Sequence, residues 1–327
     1  MALALAAPGG VLATGTRIKL ALQPVGQAGS FFDLTLRPGE TRKLDVELSN
    51  AGTATMAART YASDVYTIID GGFGARLRDE PQTGVTRWLD YPTQVVGLPV
   101  GAAVRRTFRV AVPLSAKPGE YITSLVLEND DPIRDAGPVA IDQIVRQAIA
   151  VVITVPGKRA PALAIGEASH ALLAGRSVVA VGVENPGNVR LRPVASFTLR
   201  DAAGVQVSQT SVAMDTFYAH TRTSIEVPLD RLLQPGTYTV RLSLEDVRQG
   251  ARAVGEATFV VQAPPAAPAP GADAGSGLAP VIQARPEGAP DLAIELGIRV
   301  AALGTIVLVG FLGVAMLRRR RTRPAGR

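Results

Sequence analysis

The chain of 327 residues contains no cysteine. Disulfides and thiolate metal sites are excluded, so its domains must stand on hydrophobic burial alone. Aromatic residues are scarce, at 5% against 47% hydrophobic residues overall. The cores are therefore built mainly from Val, Leu, Ile and Ala. Histidine occurs only at His170 and His220, far apart and outside any metal-ligand spacing. No G-x-S-x-G elbow, phosphate-binding loop or dinucleotide fingerprint is present. Gly71, Gly72 and Gly74 form G-G-F-G, which reads as a hairpin loop. No catalytic, cofactor-binding or metal-binding residue is assigned, and no cofactor is expected.

Excess charge is also lacking outside one short stretch. The formal net charge is +6, but the last ten residues hold six arginines, among them Arg318, Arg319, Arg320 and Arg321. Without these six, 28 of the 34 basic residues remain against 28 acidic ones. The basicity is a local tail, which argues against a nucleic-acid partner.

What is present from Arg17 to Gln262 is alternation, the period of a half-buried strand. Leu44, Val46 and Leu48 alternate with polar residues. So do Phe108, Val110 and Val112, and likewise Ile149, Val151, Ile153 and Val155. No helical stripe of ten or more residues interrupts them. Pro-Gly recurs at 38–39, 118–119 and 235–236, supplying the fixed and the positive φ of a type II turn. A second device appears twice: LDVELSNAGT at 44–53 and VAVGVENPGN at 179–188, each a strand running into Asn-x-Gly. The expected fold is all-β, with two tandem immunoglobulin-like β-sandwich domains plus one C-terminal transmembrane α-helix. The first sandwich spans 17–157, with an insertion expected around 68–100, and the second spans 161–262.

Residues 1–16 read as a signal-peptide remnant or a disordered N-terminus. From 263 to 290, 20 of 28 residues are Ala, Pro or Gly, the composition of an extended linker. Val300 to Leu317 carries no charge over 18 residues, long enough for a bilayer core of about 30 Å. The expected transmembrane helix covers 296–317. The arginines that follow it, in the tail 318–327, place the C-terminus in the cytoplasm by the positive-inside rule. That orientation makes the chain a single-pass type I membrane protein with both sandwiches outside the cell and one helix in the lipid bilayer.

Ligand contacts are sought among the few aromatics, whose faces stack on sugars. Trp88, Tyr91, Tyr61 and Tyr66 are the glycan-binding candidates, against a reading in which Trp88 begins a strand and fills the core. Phe217 and Tyr218 are candidate partner anchors. The acidic loop Glu128-Asn129-Asp130-Asp131, with Asp135 nearby, lacks the ligand spacing of a calcium loop and reads as a solvated hairpin tip.

The first domain resembles the peptidoglycan-binding domain of the WxL-interacting cell-surface protein family. The resemblance rests on FFDLTLRPGETRKLDVELSNAGT (31–53), TRWLDYPTQVVGLPVG (86–101), FRVAVPLSAKPGEYITSLVLEN (108–129) and RQAIAVVITVPG (146–157). The order of parts is similar too: signal peptide, this domain, an immunoglobulin-like domain, one membrane helix, a basic tail. The resemblance implies a bridge, in which the first domain binds peptidoglycan and the second a WxL-domain protein or another surface molecule. The Ala- and Arg-rich composition departs from that family. The expectation is thus a non-enzymatic, membrane-anchored binding protein with a cell-wall glycan and a surface protein as partners. One alternative is a structural or chaperone-like subunit that pairs β-strands with a partner, which requires an unpaired edge strand. The other is a cell-wall hydrolase, which requires carboxylates or histidines that only the fold brings together.

Overall fold

The structure is a computed structural model that describes residues 17–134 and 142–263. Strands dominate it, and the sole helical element among the described residues is a five-residue 3-10 turn, Gly84–Trp88. The expected membrane helix, the linker and Arg318 to Arg321 lie outside the described residues. Within the described residues no helix is long and apolar enough to cross a membrane.

In chain order the first block holds β1 (Leu20–Pro24), β2 (Phe32–Thr35), β3 (Thr41–Asn50), β4 (Met56–Thr67) and β5 (Phe73–Ala75). After the 3-10 turn come β6 (Leu89–Asp90), β7 (Gln94–Leu98), β8 (Ala103–Ala111) and β9 (Gly119–Asn129). The block ends with β10 (Ile133–Arg134), β11 (Asp142–Gln143) and β12 (Arg146–Val155). One sheet runs β1-β3-β8-β6 and the facing sheet runs β2-β12-β9-β4-β5, with β7 also on β4. The inward side chains of both sheets share one core, in which Phe32, Val46, Leu48, Leu125, Val151 and Ile153 are fully buried. This is the physical content of the alternation: successive residues face opposite ways, so apolar residues two apart fill one side. Aromatics are few but central, with Phe108 edge-on to Phe32 at 5.0 Å and to Tyr91 at 5.9 Å. Residues 68–100, where an insertion was expected, supply the short strands β5, β6 and β7 and the 3-10 turn.

The second block holds β13 (Ala164–Leu173), β14 (Arg176–Asn185), β15 (Val194–Asp201), β16 (Gln206–Ala213), β17 (Thr221–Pro228), β18 (Gly236–Asp246) and β19 (Ala251–Val261). Its sheets run β13-β14-β17 and β16-β15-β18-β19 over a separate core that includes Val179, Phe197, Leu199, Phe217 and Leu242.

The repeated Asn-x-Gly has a structural meaning. Asn50 and Asn185 are each 1% exposed. The Asn50 amide donates to the carbonyls of Ala54 and Leu98 and accepts from Gly52 N–H. The Asn185 amide donates to Val189 and Phe217 and accepts from Gly187 N–H. The same side chain closes the same corner in both sandwiches. Glycine follows because another segment crosses close by. A Cβ on Gly52 would sit 2.4 Å from the Arg17 carbonyl oxygen, and one on Gly187 would sit 2.6 Å from that of Ala160.

The two sandwiches are joined at two places besides the connecting chain. The β4–β5 turn, the loop expected from G-G-F-G, lies along β17. There Asp70 N–H donates to Ser224 C=O, Glu226 N–H to the Asp70 carboxylate, and the Thr223 hydroxyl to Ile68 C=O. At the second place Glu120 N–H donates to Asn188 C=O, and the Asn188 amide donates to Pro118 and Lys158. The Glu120 side chain accepts from Arg190 N–H and pairs with Arg159.

Candidate functional site

A sheet edge carries unpaired backbone N–H and C=O groups and is a template for another chain unless it is guarded. The edges of this protein differ in how they are guarded. β12 pairs with β9 over all ten residues, from Arg146 opposite Glu128 to Val155 opposite Gly119. On its other side the four-residue β2 covers only Val151 to Thr154, in parallel. The half from Arg146 to Ala150 is therefore open on one side among the described residues.

The backbone parity of that half follows from one bond. Leu36 N–H donates to Thr154 C=O, so the even-numbered residues of β12 direct their backbone groups away from β9. Arg146 and Ala148 present the free groups, together with the N–H of Ala150. Two of the three are alanines, which leave the backbone accessible. The register with β9 has no bulge, and no lysine or proline stands in the strand. Arg146 does not shield the edge either: its guanidinium donates to the carbonyls of Ala75, the last residue of β5, and of Arg76, across the sheet. On the inward face Ile149 is half-buried against the core beside the fully buried Val151.

The edge of β8 in this sandwich is guarded. β6 covers only Arg109 and Val110 of β8. In the uncovered part Arg106 lies over the Tyr91 ring at 4.2 Å, and its Nη2 donates to Pro92 C=O. Its Nη1 is buried without a hydrogen-bond partner. An inward-pointing charge of this kind opposes any strand docking there. In the second sandwich the β4–β5 turn occupies the edge of β17, and β16 is mostly exposed and rich in Ser, Gln and Thr.

The outer face beside the free edge is held by charge. Tyr61, Val126 and Ala75 form a small cluster with Ala148 and Phe73 against it. The Tyr61 hydroxyl donates to Glu128, which pairs with Arg78, while Asp130 pairs with Arg59 and Arg78. The loop read as a solvated acidic tip is thus salt-bridged at Glu128 and Asp130; Asp135 lies outside the described residues. Burial, reinforced by the Glu128 charge, pushes the Tyr61 phenol up to about 12. A raised folded value contributes stability that is whole below the unfolded value near 10 and lost as pH climbs towards 12. Tyr61→Phe is expected to flatten the loss of stability between pH 10 and 12 in chemical denaturation.

The remaining sequence candidates lie apart from one another. Tyr91 is a core residue, 4% exposed, with its hydroxyl 2.6 Å from that of Thr60. Tyr61 is 3% exposed. Trp88 ends the 3-10 turn, and β6 begins only at Leu89; its ring packs against Tyr121 at 4.6 Å. Tyr66 lies under the Arg76 guanidinium at 4.9 Å. The four rings share no common stacking surface. Phe217 fills the second core, and Tyr218 sits at the seam between the sandwiches, its N–H donating to the Thr67 hydroxyl. Burial raises the Tyr218 phenol above its ordinary value.

A cleft of about 500 Å³ lies between the sandwiches, lined by Val65, Val85, Tyr121, Ile122, Ala219 and His220 among others. Its charges are already paired: Arg76 with Glu80, and Asp64 with Thr83 and Thr86. His170 stacks on Phe259 and bonds Ser177, and burial lowers its pKa. Among the described residues no three His, Asp or Glu side chains converge to hold a metal ion.

No protein-family model and no curated protein matches this chain. Solved structures do align with it. The class 5 fimbriae chaperone CfaA aligns at 14% identity over 75% of this chain and 100% of its own, with a TM-score of 0.31. The Escherichia coli chaperone DraB aligns at 14% identity over 75% and 98%, with a TM-score of 0.30. Red sea bream transglutaminase aligns at 13% identity over 76% and 31%, with a TM-score of 0.23. At such scores the activities of those proteins do not transfer to this chain.

Proposed function

We propose that this chain is a non-enzymatic binding subunit that takes up an extended segment of a surface-protein partner along the free edge of β12. It then acts in the chaperone-like or assembly role set out as an alternative above. The single observation that supports this most directly is the contrast between edges. β8 carries a half-buried guanidinium, with one nitrogen fully buried, that opposes docking, whereas Arg146 to Ala150 offers backbone groups between alanine side chains. A strand added there would supply main-chain bonds for affinity, and its alternate side chains would face Ile149 and the core for selectivity. The two sandwiches are read as immunoglobulin-like and as lying outside the cell, tethered by residues 296–317. A peptidoglycan role draws no support from the ring positions, since Tyr61 and Tyr91 are buried.

The test is site-specific photo-cross-linking in the producing cell. A photoreactive residue at position 148 is expected to capture one protein through a β-strand segment, identified by mass spectrometry. The same residue at position 208, on the polar edge β16, is expected to capture none. Equal capture at the two positions, or none at 148, would remove the proposal.

A further inference from the structure

The far end of the second sandwich carries leucines that its core does not use. Three connections meet there. In the β13–β14 hairpin Leu173 pairs with Arg176 across Ala174 and Gly175, both at positive φ. The β17–β18 loop is tied to that hairpin, with Leu229 N–H donating to Ser177 C=O and Leu233 N–H to the Ser177 hydroxyl. The β15–β16 loop lies at the same end, since Asp201 pairs with Tyr238 of β18 and Arg231 donates to Val207 C=O. These connections expose Leu172 by 63%, Leu173 by 48%, Val205 by 60% and Leu232 by 54%. Arg176, Arg200 and Arg231 stand exposed among them. Of the two carboxylates at this end, Asp201 accepts the Ala203 and Val205 N–H groups and Asp230 is exposed.

The covering partner is indicated by where the chain goes next. Val261 pairs with Gly236, so β19 delivers the chain out of the sandwich at this same end. The sequence then runs through the Ala/Pro/Gly-rich 263–290 to the 18 uncharged residues Val300 to Leu317 and four arginines. We infer that the tip formed by Leu172, Leu173, Val205 and Leu232 docks on an anionic lipid surface, with Arg176, Arg200 and Arg231 meeting the headgroups. Apolar side chains at one hairpin end and on two loops enter the interface, and arginines at their base meet phosphate. Twenty-eight residues of this composition reach about 30 Å as a coil and at most about 85 Å when extended. At that range a weak surface suffices, because tethering makes its contact effectively intramolecular. The inference rests on reading 300–317 as a membrane span and is independent of the β12 edge. Resistance of the full chain to alkaline carbonate extraction tests the span by itself.

The absence of native cysteine makes the experiment direct. Single variants Leu172→Cys, Leu232→Cys and Leu114→Cys in the full chain carry an environment-sensitive dye; Leu114 is 86% exposed on the first sandwich and serves as control. The labelled chains are reconstituted in bilayers of phosphatidylcholine and phosphatidylglycerol. Spin-labelled lipid is expected to quench the dye at 172 and 232 at least threefold more than at 114. The added change Leu173→Glu is expected to return position 232 to the control value. Omitting phosphatidylglycerol is expected to at least halve the effect. Equal quenching at all three positions overturns the inference. A blue shift at 172 without lipid quenching overturns it too, because a protein surface then covers the tip. A chain that does not enter the bilayer also overturns it.

Discussion

Asn185→Asp is expected to destabilise the second sandwich by about 2–5 kcal/mol, because it exchanges two donors for an acceptor against two buried carbonyls. The substitution keeps shape and volume. The oxygen that accepts Gly187 N–H is retained, but the groups that satisfied Val189 and Phe217 C=O are gone. Each stranded acceptor costs roughly 1–3 kcal/mol, and a carboxylate in their place adds repulsion. For a sandwich of this size the fall in melting temperature is on the order of 10–20 °C. Asn50→Asp is expected to do the same to the first sandwich, where Ala54 and Leu98 lose their donor. Acid offers a further check. The new carboxyl is disfavoured as an anion in the fold, so its folded pKa lies above the unfolded value and stability is regained as pH falls below it. Calorimetry of both variants between pH 4 and 7 measures this. A loss under about 1 kcal/mol at pH 7 would mean that the amides do not hold the two corners.

Ala148→Pro is expected to weaken capture of the partner strand at least tenfold while leaving the melting temperature within about 2 °C. Proline removes one backbone N–H. At an even position of β12 that N–H points away from β9, so the existing ladder keeps its bonds. The incoming strand loses one bond outright and meets the ring where its own carbonyl should approach. Tenfold is about 1.4 kcal/mol, within reach of one such bond and the associated crowding. Ile149→Pro is the matching control. Its N–H faces β9, so it is expected to unfold the strand rather than silence it. The measurement is the cross-linked fraction at position 150 with and without each substitution, alongside calorimetry. Undiminished capture in Ala148→Pro would show that the edge is not the docking line.

The strand content was open to reading because burial on one face imposes a period of two. Leu44 to Leu48 and Ile149 to Val155 display it, and both enter the core. The tandem Asn-x-Gly was visible as a repeat, but its cause was not, since the two carbonyls bound by each amide lie up to 48 residues away. Sheet edges leave still less trace. Alternation tells which face a residue occupies, whereas the vacancy beside Ala148 depends on β2 beginning only at Phe32, opposite Val151. The place of the rings is as hard to read. RWLDYP allows either rings stacked on a sugar or a Trp88 that fills the core. Tyr91 is instead drawn inward to meet Phe108, and Trp88 is turned onto Tyr121 by the 3-10 turn that precedes β6. The uncharged stretch 300–317 was the plainest signal of all, and it lies outside the described residues.

The two bonded seams between the sandwiches have a mechanical consequence. A single connection would let one sandwich swivel about the other. Here the Asp70 turn grips β17, while Asn188 and Glu120 grip the base of β9. Two grips remove the swivel axis, much as a second hinge pin fixes a door in its frame. A pull on a strand seated against β12 would then reach the Leu172 end as a shift of the whole body, with little slack taken up between.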